Sequence, residues 1–256
     1  IYFLCSIRKV EYNLAKFSEK VCRYLGIPVV KFGSFQEAFD AILSKKDRAV
    51  IVIDEFGYLV RQDPGVLSDF QEIVDEKLSN TEHMLILCGS SISMMETRVL
   101  SYGSPLYGRA SRYMRIKALP FKCLRQWFPK TPVEELIKIY GVCGGVPKYL
   151  EFFSGENVER EIVEKFFDAS SFLYNDAINI LSEELRDYTT YLQVLEAIAL
   201  GYTKLTEIAN YAYVKAKDVY FYLKVLSSLG IVRRIVPIFS DRRSKRGIYE
   251  IVDNYF

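Results

Sequence analysis

Asp54 and Glu55, side by side at the end of the apolar run Ala49-Val50-Ile51-Val52-Ile53, are the residues whose type and placement best suit them to chemistry. The run is rich in β-branched side chains and bounded by Lys45-Lys46-Asp47-Arg48, which predicts a strand buried on both faces of a parallel sheet. Its carboxyl end is where open α/β sheets bind ligands. The competing reading is a buried strand whose first loop residues happen to be acidic. His83 is the sole histidine, which all but excludes a Ser-His-Asp triad or a His-ligated metal.

The elements that must position this pair are legible around it. Ile1-Tyr2-Phe3-Leu4 reads as a strand, and residues 11–25 carry Leu14, Phe17, Val21 and Leu25 at helical spacing before Gly26, a C-terminal glycine signal. Residues 35–43 repeat the pattern behind Ser34 as N-cap. After the acid pair a loop with Gly57 and Asp63-Pro64-Gly65 leads to a helix over about 67–78, then to a second buried strand, His83 to Gly89. Strand, helix, strand implies a right-handed crossover and a parallel sheet. One more strand is expected over 113–119, ended by Pro120. Beyond it, 133–142, 146–153, 158–169 and 172–181 read as helices. Residues 191–200, 205–212 and 216–229 are three further helices, and 231–237 with 247–252 form a hairpin around Asp241-Arg242-Arg243-Ser244-Lys245-Arg246. Three helices followed by a hairpin is the winged form of helix-turn-helix.

With 256 residues, half of them hydrophobic, the chain can bury one or two cores. A net charge of +2 gives no overall pull toward nucleic acid or membrane. Cys5, Cys22, Cys88, Cys123 and Cys143 are odd in number and form no close pair, which argues against a disulfide framework or a zinc site and fits a reducing cytoplasm. No apolar run is long enough to cross a bilayer. Because the chain opens on a strand-like segment without Met and ends apolar at Phe256, it reads as an excerpt of a longer protein.

Taken in order, these motifs resemble the archaeal-type ATPase family of the P-loop NTPases, relatives of the AAA and STAND switch ATPases. The apolar strand ending in Asp54-Glu55 is similar to the Walker B pattern. Cys88-Gly89-Ser90-Ser91, Ser104-Pro105-Leu106-Tyr107-Gly108-Arg109 and Gly144-Gly145-Val146-Pro147-Lys148-Tyr149-Leu150 follow, with the winged helix close behind. The resemblance implies a partial P-loop α/β core over 1–119, a helical lid over 120–187 and a winged-helix domain over 188–256.

It also implies roles. Asp54 would hold magnesium through water, and Glu55 would orient or deprotonate the attacking water. Ser90 or Ser91 would sense the γ-phosphate, against the simpler reading of Gly-Ser-Ser as a turn. Arg109 would contact phosphate with its planar fork, with Arg98 and Arg112 as rivals. Gly145 and Pro147 would lie near the adenine, against the alternative that they punctuate helices. No G-x-x-x-x-G-K-[ST] occurs in the chain; in the family this phosphate-cradling turn lies just before the opening strand.

The winged helix has two readings. Lys215, Lys217 and Lys224 on its third helix could meet DNA while Arg242, Arg243, Lys245 and Arg246 form a basic wing. Tyr220, Phe221 and Tyr222 on the same helix instead suit packing, a protein partner or an internal clamp. The resulting expectation is an ATP- and magnesium-dependent switch ATPase, possessing in some relatives a further C-terminal domain that resembles a nuclease. The rival is a non-hydrolysing DNA-binding regulator built on an NTPase-like platform.

Overall fold

The computed structural model describes residues 1–45, 47–185, 187–239 and 247–256. These divide into two compact units, Ile1–Met114 and Arg115–Phe256.

The first unit is a parallel sheet in the order β1 (Tyr2–Leu4), β2 (Val50–Asp54), β3 (Met84–Leu87). Tyr2 pairs with Val52 and Leu4 with Asp54, while Val50 pairs with Met84 and Val52 with Ile86. Between β1 and β2 run α1 (Val10–Leu25) and α2 (Phe35–Leu43). Gly26 ends α1 in the left-handed region at φ 73°, a conformation glycine adopts without a Cβ penalty. Ser34 caps α2 as the spacing predicts: its hydroxyl accepts the Glu37 amide at 3.1 Å and Glu37 accepts the Gly33 amide at 2.7 Å.

After β2 the chain enters α3 (Phe56–Gln62) and α4 (Val66–Glu72), which continues as a π-helical turn over Ile73–Leu78. Helix α3 replaces the expected loop. Phe56, Leu59 and Val60 are buried at helical spacing, and that burial outweighs the low helix propensity of Gly57. After β3 come the short α5 (Ile92–Met94) and a π-helical turn, Met95–Val99. Phe70 anchors the core, with ring centroids 5.3 Å from Phe35, 6.0 Å from Phe39 and 4.9 Å from Phe56.

That core lies on one face of the sheet. Phe3, Ile51 and Ile53 are buried in it, whereas Tyr2, Leu4, Val50, Met84 and Ile86 are exposed on the other face. The expectation that β2 is buried on both faces therefore fails for these residues. Along β2 itself Val50 is exposed and Val52 only half-buried, although both are as apolar as buried Ile51 and Ile53.

The expected strand over 113–119 is absent. A strand forms only against a partner's hydrogen-bonding edge, and no ladder pairing is present for this segment among the described residues. The Leu119 amide donates to the Gly145 carbonyl at 2.7 Å, and Arg115 donates to the carbonyls of Ser228 and Leu229 at 3.1–3.4 Å.

The second unit begins with α6 (Leu124–Trp127), α7 (Val133–Cys143), α8 (Pro147–Leu150), α9 (Val158–Phe166) and α10 (Phe172–Glu184), packed around Leu124, Ile139, Leu150 and Leu173. The helix expected over 146–153 shortens to the single turn α8. Then follow α11 (Tyr188–Ala199), α12 (Leu205–Tyr211), α13 (Ala216–Leu229) and the antiparallel pair β4 (Val232–Ile235) and β5 (Ile248–Ile251). They share a core of Val194, Ile208, Val219, Leu223 and Leu226. Among the described residues no helix is long and apolar enough to cross a membrane.

Candidate functional site at the carboxyl ends of the parallel strands

Three strand ends meet at Asp54. The Cys5 amide, just past β1, donates to the Asp54 carbonyl at 2.9 Å, and the Cys88 amide, just past β3, donates to the Ile53 carbonyl at 3.0 Å. The turn leaving β1 is fixed by buried Asn13, whose amide group donates to the carbonyls of Ser6, Arg8 and Lys9 and whose oxygen accepts the Ser6 amide.

Glu55 turns the chain sharply at the end of β2. It adopts φ 53° and ψ 41°, a left-handed conformation that costs a side-chain-bearing residue roughly 1 kcal/mol or more. The following amide, Phe56 N–H, is thereby returned to the Cys88 carbonyl at 2.9 Å, while buried Phe56 starts α3. The Glu55 carboxylate accepts the amide and the hydroxyl of Ser90 at 3.3 and 3.1 Å. Strain at the residue beside Asp54 is thus held by contacts on both sides.

The Asp54 carboxylate accepts the Tyr2 hydroxyl on Oδ2 at 2.6 Å, and the Glu55 amide and Cys88 thiol on Oδ1 at 3.0 and 3.3 Å. The Tyr2 bond, with smaller help from Cys88 and the Glu55 amide, holds Asp54 below the usual carboxylate range although burial opposes this. The same bond raises the Tyr2 phenol. Burial and the Asp54 hydrogen bond push the Cys88 thiol up to about 11, and burial pushes Cys5 up to about 12. Both cysteines are therefore neutral thiols, not thiolate nucleophiles.

The predicted residues separate. Asp54, Glu55 and Ser90 come together, whereas Ser91 caps α5, its hydroxyl accepting the Met94 amide at 3.3 Å. Arg109 grips both carboxylate oxygens of Asp75 through Nε at 2.8 and 2.9 Å and donates to the Pro105 carbonyl at 2.8 Å. Its guanidinium is thus engaged by Asp75 rather than by the acid pair, and Arg98 and Arg112 are exposed. Gly145 lies where a Cβ would stand 1.7 Å from the Leu119 carbonyl oxygen, and Pro147 occupies the first turn of α8. Close backbone approach and helix initiation account for both residues within their own unit.

Lys215 precedes α13, and Lys217 and Lys224 are exposed along it, beside exposed Tyr220 and Phe221. Tyr222 is instead half-buried, its ring 4.8 Å from that of Tyr191. Arg242, Arg243, Lys245 and Arg246 lie outside the described residues. Tyr2 escaped the sequence reading because its link to Asp54 depends on β1–β2 register; a hydroxyl-bearing side chain in an otherwise apolar strand was the available signal.

A family model described as an ATPase domain predominantly from Archaea matches residues 7–153, more than half of the chain. The chain belongs to this archaeal ATPase family. As an archaeal ATPase domain it is 42% identical over 231 residues to the uncharacterized protein MJECL04 of Methanocaldococcus jannaschii, covering 89% of this chain and 51% of that protein. It is also 51% identical over 47 residues to the uncharacterized protein MJ0424 of the same organism, covering 18% of this chain and 46% of that one. The archaeal ATPase chain thus spans about half the length of the curated relatives it matches. Among solved structures it is similar to the Walker-type ATPase PABY2304 of Pyrococcus abyssi, with a TM-score of 0.69 at 20% identity over 99% of this chain and 82% of that one. That likeness gives the archaeal ATPase domain a partial P-loop fold.

The donors around Asp54 suit one kind of cation. Among the described residues no group of three or more His, Cys, Asp or Glu side chains could hold a metal ion by itself. One ionised carboxylate at a strand end instead fits magnesium, which keeps several waters and takes one or two carboxylates together with substrate phosphates.

Proposed function

We propose that this chain carries the hydrolytic and switching parts of an ATP-driven switch ATPase. The observation that supports this reading is the meeting of Asp54, Glu55 and Ser90 at the carboxyl ends of adjacent parallel strands. Magnesium, when bound with the triphosphate, would supply charge neutralisation at the phosphates. Asp54 would be the residue that holds that ion, through its hydration shell. Glu55 would orient the attacking water and take its proton, and the Ser90 amide and hydroxyl, which hold the Glu55 carboxylate, would serve the γ-phosphate only on releasing it. Arg109 could serve phosphate only after leaving Asp75. The glycine-rich cradle would come from chain outside residues 1–256, adding to the edge of β3 that has no partner among the described residues and covering the open sheet face. The free cysteines suit a reducing cytoplasm.

The test is magnesium-dependent ATP hydrolysis by the intact protein, with Glu55→Gln expected to retain ATP and lose turnover. Parent-like turnover in Glu55→Gln would refute the assignment.

A second reading concerns residues 188–256. Three helices and an antiparallel pair, with Lys217 and Lys224 exposed on α13, support a winged helix that contacts duplex DNA mainly through phosphates. Neutralising Arg242, Arg243, Lys245 and Arg246 should then weaken binding equally for unrelated sequences and flatten the salt dependence, by roughly 0.9 in log–log slope for each phosphate no longer neutralised. Unchanged affinity would remove the wing from DNA binding, and no binding by the intact protein at low salt would favour an internal clamp. Duplex binding without any ATP turnover would instead support the non-hydrolysing regulator.

A further inference from the structure

The two oxygens of Asp54 are held differently. Oδ1 is tied to the scaffold, accepting the Glu55 amide and the Cys88 thiol, whereas Oδ2 accepts one donor among the described residues, the Tyr2 hydroxyl, at 2.6 Å. Because Tyr2 pairs with Val52 across the β1–β2 ladder, Tyr2 and Asp54 stand diagonally on the same face, within reach of an aromatic side chain. That face is the open one, and Tyr2 is 54% exposed. Its neighbour Phe3 supplies the core contact of β1.

Tyr2 is exposed and Asp54 only half-buried, so both groups have water available and burial does not compel this bond. Its effect is on orientation. A carboxylate anchored through Oδ1 alone can rotate about its side-chain bonds, and a second donor on Oδ2 fixes its plane. Each carboxylate oxygen offers two lone-pair sites, so Tyr2 leaves one on Oδ2 available.

We propose that Tyr2 is a positioning residue for Asp54, its hydroxyl fixing the carboxylate so that the remaining site on Oδ2 meets a magnesium-bound water. This rests on the ATPase reading. Magnesium demands near-ideal octahedral geometry, so a misaligned outer partner weakens binding of the ion; donors that orient a metal's direct ligands are worth about ten- to a hundredfold in affinity, and Tyr2, acting through a bound water, belongs at the low end of that range.

The experiment compares the intact parent with Tyr2→Phe, which keeps the ring and removes the hydroxyl. Mn2+ binding in the presence of ADP is followed by loss of the free-ion paramagnetic resonance signal, and the magnesium concentration for half-maximal ATP turnover is measured alongside. The expected result is about a tenfold weaker Mn2+ isotherm and an equal shift in the magnesium requirement, with turnover at saturating magnesium and affinity for metal-free ADP unchanged. A folded Tyr2→Phe protein whose isotherm overlays the parent's, or is tighter, would overturn the inference while leaving the ATPase reading standing. Absence of ADP-dependent Mn2+ binding in the parent would overturn both.

Discussion

The Glu55 carboxylate is held by Ser90 through both of that residue's donors, its amide at 3.3 Å and its hydroxyl at 3.1 Å. The grip joins the ends of β2 and β3, and it fixes a glutamate whose own backbone sits in the left-handed region.

If Glu55 is the group that activates water, Glu55→Gln should lower turnover by about 100- to 10,000-fold with ATP affinity nearly intact. Ser90→Ala, which removes one of the two donors while keeping the amide, should cost less, about tenfold. Single-turnover rates beside equilibrium nucleotide binding would read both. A Ser90→Ala protein indistinguishable from the parent would mean that the hydroxyl does not position Glu55.

The Arg109–Asp75 pair gives a pH dependence of defined sign. Arg109 lowers the Asp75 carboxyl from its ordinary value of 3.8. The unfolded chain therefore binds the proton more readily, so this contribution is complete above 3.8 and is lost as pH falls through the lower folded value. Thermal midpoints of parent and Asp75→Asn should differ at neutral pH and converge below that value. A difference that persists in strong acid would point to packing rather than charge.

Gly145→Ala should destabilise the second unit by on the order of 3 kcal/mol. A methyl group there would stand 1.7 Å from the Leu119 carbonyl oxygen, and backbone cannot yield as a flexible side chain can. Chemical denaturation measures this directly. An alanine variant as stable as the parent would show that Leu119 and Gly145 do not approach this closely.

The polypeptide 1–256 taken alone should bind a hydrophobic dye, aggregate with rising concentration and hold ATP weakly. Its parallel sheet exposes Tyr2, Leu4, Val50, Met84 and Ile86, and β3 has a described partner on one side only, an edge open to further pairing. Light scattering and calorimetry would check both properties. Submicromolar ATP affinity with a monodisperse solution would contradict them.

Much of the molecule was legible as sequence because its signals are local. Ser34 and Gly26 bracket helices through side-chain and backbone geometry that involves only near neighbours. The same holds for α13, found over its full length, where Val219, Leu223 and Leu226 are buried at helical spacing. Helix α3 was missed because Gly57 reads as a breaker, although the spacing of Phe56, Leu59 and Val60 marked it. The strand over 113–119 failed for a different reason: apolar alternation states that a segment can pair, not that an edge is there to receive it.

By itself the sequence determined the parallel-sheet class, the placing of Asp54-Glu55 at a strand end and the family resemblance, since these follow from residue order and periodicity. The tertiary structure decided which side chains meet. It set Ser90 rather than Ser91 against Glu55, joined Arg109 to Asp75, and brought Tyr2 to Asp54 across 52 residues of chain. The Tyr2 and Ser90 contacts depend on the register of strands or on the direction in which a turn leaves them, and a one-residue shift in register would move the side chain to the opposite face; the Arg109 contact depends on how the turn after Leu100 packs on the helical segment that holds Asp75.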